Sequence, residues 1–131
     1  MKNQLHGVFQ ITGWDETPYV ENADGTRQTH AKVAQTYSGD IEGASELQYL
    51  MSYSPNGVAI FVGFETVTGS IDGNSGSFII QHNGKFADGV ASSDFLIVVN
   101  SGTEKLVGIS GTGTFKSGDN GQANYTITIA V

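Results

Sequence analysis

The chain has 131 residues, a formal net charge of −7 at pH 7, eighteen glycines, two prolines and no cysteine. That length points to one domain, residues 1–131, with one core, and the absence of cysteine excludes disulfides, thiolate metal sites and a thiol nucleophile. Six Lys and Arg scattered among thirteen acids make a field that repels phosphate backbones, which argues against nucleic acid as a partner.

In chain order, Met1 to Gly7 alternates like a strand and has no apolar leader, and no later run approaches the ~18 apolar residues of a membrane span. The expectation is a cytoplasmic protein with no membrane partner. Thr, Val, Ile, Phe and Tyr recur in short alternating runs, separated by Asp24-Gly25, Pro55-Asn56-Gly57, Asp72-Gly73-Asn74-Ser75, Asp88-Gly89, Asn100-Ser101-Gly102 and Gly118-Asp119-Asn120-Gly121. These signals predict an all-β protein with strands near 3–14, 28–41, 45–54, 58–70, 76–86, 90–99, 111–117 and 122–130. Long up-and-down antiparallel strands in that number close into a barrel, which removes exposed edges and leaves a lumen for side chains or one small ligand. A flat sandwich is the alternative. Asp15 to Arg27, with Pro18, Tyr19 and four acids, reads as a long loop, either a lid over one mouth or a solvated excursion. Thr103 to Gly108 reads as a single helical turn with Thr103 at its cap.

Taking Asp72 to Ser75 as the turn sets Ile71 against Gly76 and Glu65 directly opposite His82. Alternation then puts Phe61, Val67, Phe78, Ile80 and Phe86 on the same inward face. The Pro55-Asn56-Gly57 loop pairs Ser54 with Val58, so that Tyr49 faces Gly63, Leu47 faces Glu65, and Tyr49, Met51 and Tyr53 enter the lumen. At Asp88-Gly89 the register is open: a two-residue loop sets Phe95 opposite His82, a three-residue loop sets Asp94 there.

Glu65 and His82 are the candidate catalytic residues, an acid and a base whose proton affinities shift through burial and mutual contact; the competing reading is a satisfied core pair that fixes register. Trp14, Tyr49, Tyr53, Phe61, Phe78 and Phe95 are the candidate ligand-binding residues, able to line an apolar pocket or simply to fill a small barrel. No metal site and no cofactor is called for. Gly108 to Gly113 is glycine-rich but lacks the helix N-terminus of a phosphate loop. Asp72-x-Asn74-x-Gly76 lacks the bidentate Glu of a calcium loop, with Asn83 in its place. His6, His30 and His82 lack metal-ligand spacing.

Trp14 to Tyr19, Ser38 to Gly43, Tyr49 to Tyr53, Phe61 to Glu65, Gly76 to His82 and Leu106 to Phe115 together resemble a family of small, uncharacterised bacterial proteins, whose barrel is similar to that of the allene oxide cyclases. The resemblance implies an eight-stranded antiparallel barrel that assembles into homo-oligomers, and it carries no assigned reaction. Similar sequences tend to carry tryptophan where this chain has Phe95. The resulting expectation is a barrel that binds a small, apolar, oxygen-bearing molecule and, if it is an enzyme, works as a cofactor-free isomerase or cyclase. The alternative is a packed barrel acting as an assembly or interaction protein through the outer face of Ile60, Val62 and Phe64.

Overall fold

A computed structural model describes residues 2–118 and 120–130. Eight antiparallel strands close into a barrel in simple up-and-down order, each pairing with its sequence neighbours and β1 closing onto β8. They are β1 (Gln4–Glu21), β2 (Arg27–Gly39), β3 (Ile41–Tyr53), β4 (Ala59–Ile71), β5 (Asn74–Ala87), β6 (Val90–Ile97), β7 (Ser110–Ser117) and β8 (Gln122–Ala130). The predicted helical turn is a 3-10 turn over Glu104–Leu106, and Thr103 contributes its carbonyl, which accepts from Leu106 N at 2.8 Å, instead of a side-chain cap.

The turn chemistry decides the registers. Asp72 and Gly73 both hold positive φ (51° and 77°), as do Asp88 and Gly89 (54° and 78°), so both hairpins turn on two residues in the geometry that matches strand twist. At the first hairpin this corrects the predicted register. Ile71 pairs with Asn74, Glu65 with Ile80 and Gly63 with His82, because Asn74 and Ser75 extend β5 and do not belong to the turn. The shift is by two residues, so every side chain keeps its predicted face. At the second hairpin the open choice resolves to Phe95 opposite His82, with Asp94 outside. The β3–β4 register agrees with the prediction: Ser54 N donates to Val58 O at 2.8 Å, Tyr49 pairs with Gly63 and Leu47 with Glu65.

The predicted loop or lid over Asp15 to Arg27 is a strand as far as Glu21. β1 pairs with β8 only through Gln10 but with β2 out to Glu21, so beyond Gln10 it is an edge strand. An edge needs no donor on its open side, and Pro18 is tolerated there beside a register shift between Pro18 and Val20. The turn itself is short: Asn22 N donates to Thr26 O at 3.0 Å, and Asp24 accepts from the Thr26 hydroxyl at 2.7 Å.

The lumen is filled unevenly. The end that carries the Asp72-Gly73 turn is packed with Leu5, Ile41, Val67, Ile71, Ile97, Leu106 and Ile127, all at most 2% exposed. Aromatic rings dominate from mid-barrel to the other end, and several lie across a glycine on the neighbouring strand. Phe61 pairs with Gly84 and Phe95 with Gly113, and a methyl group added at either glycine would strike the partner's ring. The missing side chain is what lets each ring lie flat against the wall.

Candidate functional site

The site begins with a fault in β1. Up to Ile11 the inward residues are odd-numbered, Leu5 and Phe9 among them. A register shift between Ile11 and Gly13 adds one residue, and from there the even-numbered Trp14 and Glu16 face the lumen's open end, paired with Val33 and Ala31. Glu16 becomes the hub of the rim: the Trp14 indole donates to Oε1 at 2.9 Å, and Thr29 Oγ1 and the Tyr53 hydroxyl each donate to Oε2 at 2.7 Å. Partial burial raises the proton affinity of Glu16. Hydrogen bonds from Tyr53, Thr29 and Trp14, together with the Arg27 charge, outweigh that and hold its pKa below the ordinary value. Arg27 lies 4.1 Å over the Tyr53 ring and completes the rim.

Inside this rim is a cavity of about 370 Å³. Its wall is formed by Phe9, Ile11, Tyr49, Met51, Phe61, Phe115 and Ala123, with Trp14, Glu16 and Tyr53 at the rim and Gln35 among the lining residues. The aromatic wall is interlocked: Tyr49 and Phe61 meet at 4.7 Å between ring centroids, and Phe9 meets Phe115 edge-on at 5.1 Å. Gln35 is 3% exposed, and its Oε1 has no hydrogen-bond partner in the protein.

Beyond the aromatic wall, towards the packed end, lies a buried polar cluster. Glu65 and His82 are 1% and 3% exposed, with His82 Nε2 2.6 Å from Glu65 Oε1. Glu65 Oε2 accepts from the hydroxyls of Tyr37 at 2.5 Å and Ser45 at 2.6 Å. His82 Nδ1 lies 3.0 Å from Ser93 Oγ, whose proton has a further acceptor in Asp94 O at 3.3 Å. Both carboxylate oxygens of Glu65 and both ring nitrogens of His82 therefore have partners within the cluster, which is what a buried polar group requires. Burial pushes the Tyr37 hydroxyl well above its ordinary pKa, with the charge of Glu65 and its hydrogen bond adding to the shift. Tyr49 is raised in the same way, by burial first and then by Glu65.

The predicted site residues therefore divide by depth. Trp14, Tyr49, Tyr53 and Phe61 border the cavity; Phe78 and Phe95 do not. Phe78 pairs with Val67 in the packed half, and Phe95 packs on His82 at 5.2 Å. Glu65 and His82 do come together, but neither borders the cavity. Tyr49 and Phe115, which do, meet the His82 ring at 5.7 and 5.5 Å. Sequence reasoning missed Glu16 and Gln35. The bulge hid Glu16, since strict alternation from Phe9 turns even positions outward. Gln35 was visible as an inward polar residue between Val33 and Tyr37. Among the described residues no group of three or more His, Asp or Glu is placed to hold a metal ion, and no helix is long and apolar enough to cross a membrane.

The chain belongs to the DUF3224 family of proteins of unknown function, whose profile matches residues 5–129. A crystal structure of a protein of unknown function from the same family, from Shewanella oneidensis MR-1, is similar, with 29% sequence identity and a TM-score of 0.79 over 97% of this chain and 95% of that one. No curated protein matches the chain.

Proposed function

We propose that this protein binds a small, largely apolar molecule at the open end of its barrel. The observation that carries this reading is the cavity of about 370 Å³ behind Trp14. An eight-stranded barrel is just wide enough for side chains to fill it, yet here they fill only one end. The cavity is within the size range of small-molecule sites, roughly 300–1,000 Å³, and has their usual build of apolar wall and few polar groups. Trp14 is 46% exposed while bordering the cavity, which puts an indole at the entrance. Chemistry on the ligand by Glu65 and His82, as in a cofactor-free isomerase or cyclase, would need the rings of Tyr49 and Phe115 to move aside, so the geometry favours binding.

The test is a thermal-shift screen of neutral bicyclic aromatics, quinones and terpenoids against the wild type and Ala123→Met, whose longer side chain enters the cavity. A probe at a hundred times its dissociation constant adds about 2.7 kcal/mol, a shift of about 3–6 °C at this size. The expected result is a shift in the wild type that the variant loses. No shift with any probe would overturn the reading.

A second reading rests on the outer face, where Leu50, Ile60, Val62 and Phe64 are 51%, 51%, 47% and 60% exposed and Leu50 pairs with Val62 across β3 and β4. Contiguous apolar surface of this kind suits self-assembly into a homo-oligomer. Sedimentation of the wild type and Phe64→Lys tests it, with a monomeric wild type as the contrary result.

A further inference from the structure

Building on the binding reading, we propose that Gln35 is the recognition residue of the cavity and that the ligand is a neutral molecule carrying a hydroxyl on its apolar body. Gln35 sits in mid-β2, paired with Ile11 and Ser45, 97% buried by its 3% exposure, and it borders the cavity. Its Oε1 has no partner. A buried amide oxygen without a hydrogen bond destabilises a fold, and an apolar residue of the same length at this position would have avoided that cost. Among the other polar side chains bordering the cavity, Glu16 takes three donors, Tyr53 serves Glu16, Ser117 Oγ accepts from Ala91 N at 2.8 Å, and Gln122 is exposed to solvent. Gln35 is the group left to orient a guest.

Charge selects the kind of guest. Among the described residues bordering the cavity there is no Lys, Arg or His, and Glu16 is the one charged side chain, held anionic by its lowered pKa. Arg27, over the Tyr53 ring at the rim, does not border the cavity, so a carboxylate ligand inside would find no counter-ion on the wall and would face the Glu16 carboxylate across an apolar space. A hydroxyl suits the carboxamide in both directions, since it donates to the amide oxygen and accepts from the amide nitrogen. Exchanging the oxygen and nitrogen of Gln35 leaves this argument unchanged.

Three probes share one apolar body and separate the possibilities: 2-naphthol, 2-methoxynaphthalene and 2-naphthoate, titrated by calorimetry into the wild type, Gln35→Leu and Ala123→Met. Wild type is expected to bind 2-naphthol about tenfold or more tighter than 2-methoxynaphthalene, with 2-naphthoate weakest. Gln35→Leu should close the gap between the first two and leave 2-naphthoate weak, while Ala123→Met weakens all three. Equal binding of 2-naphthol and 2-methoxynaphthalene by wild type, or a preference that survives Gln35→Leu, overturns the assignment of Gln35 while leaving the cavity reading standing. Tightest binding of 2-naphthoate overturns the neutral-ligand inference. If none of the three binds, both the inference and the reading beneath it fail.

Discussion

His82 reaches Glu65 diagonally across the β4–β5 ladder, Nε2 to Oε1 at 2.6 Å, although the residues directly opposite them are Gly63 and Ile80. Gly63 has no side chain, and the Tyr49 ring of β3 lies against it. Glu65→Ala removes the acceptor of Tyr37, Ser45 and His82 together and should cost about 3–5 kcal/mol in urea unfolding. Replacing both members, Glu65→Leu with His82→Phe, should recover part of that loss, because two apolar groups leave no orphaned charge. A double loss equal to the sum of the singles would show that the two side chains are not coupled.

Gln35→Leu should behave in the opposite way. Removing a buried carboxamide whose Oε1 lacks a partner should stabilise the free protein by about 1–3 kcal/mol, read as a higher urea midpoint with unchanged slope. A lower midpoint would mean that the amide is satisfied in solution.

Gly84→Ala tests the ring-over-glycine packing. The new methyl group would strike the Phe61 ring, and overpacking of this kind costs about 1–3 kcal/mol. Pairing it with Phe61→Leu should relieve part of the cost. Strict additivity of the two changes would place the strain elsewhere.

Tyr37, Tyr49, Tyr53 and Tyr125 all have pKa values raised above the ordinary 10.0, burial being the first cause in each. Their contribution to stability is fully present below pH 10. As pH rises beyond it, the unfolded chain loses tyrosine protons that the folded chain retains, so stability must fall. Tyrosinate absorbance above pH 10 should therefore grow in step with unfolding followed by circular dichroism. Full ionisation of a still-folded barrel would contradict this.

Glu16 has the reverse sign. Its lowered pKa contributes stability that is present above the ordinary value near 4.5 and is lost as pH falls through the lowered one. Glu16→Gln should flatten the fall in thermal stability as pH drops below the ordinary value near 4.5, relative to wild type. An unchanged profile would show that Trp14, Thr29 and Tyr53 do not hold the carboxylate in solution.

Much of this barrel is written in local order. Alternation on β3, β4 and β5 and the paired turn residues Asp72-Gly73 and Asp88-Gly89 determine which side chains point inward, and Glu65, His82, Tyr49 and Phe61 were legible as lumen residues on that basis alone. Even a register misread by two left their faces intact, because the side-chain period is two. Three things depended on the closed tertiary structure. β1 outlasts its pairing with β8 and continues along β2, so Pro18 falls on an edge and a segment with loop composition becomes strand. The register shift between Ile11 and Gly13 turns Glu16 inward, and alternation carries no sign of it. Depth along the barrel then separates Tyr49 and Phe61 at the cavity from Phe78 in the packing. Facing is a property of one strand's pleat, whereas depth comes from the tilt and stagger of eight strands around a common axis, which no single stretch of sequence encodes.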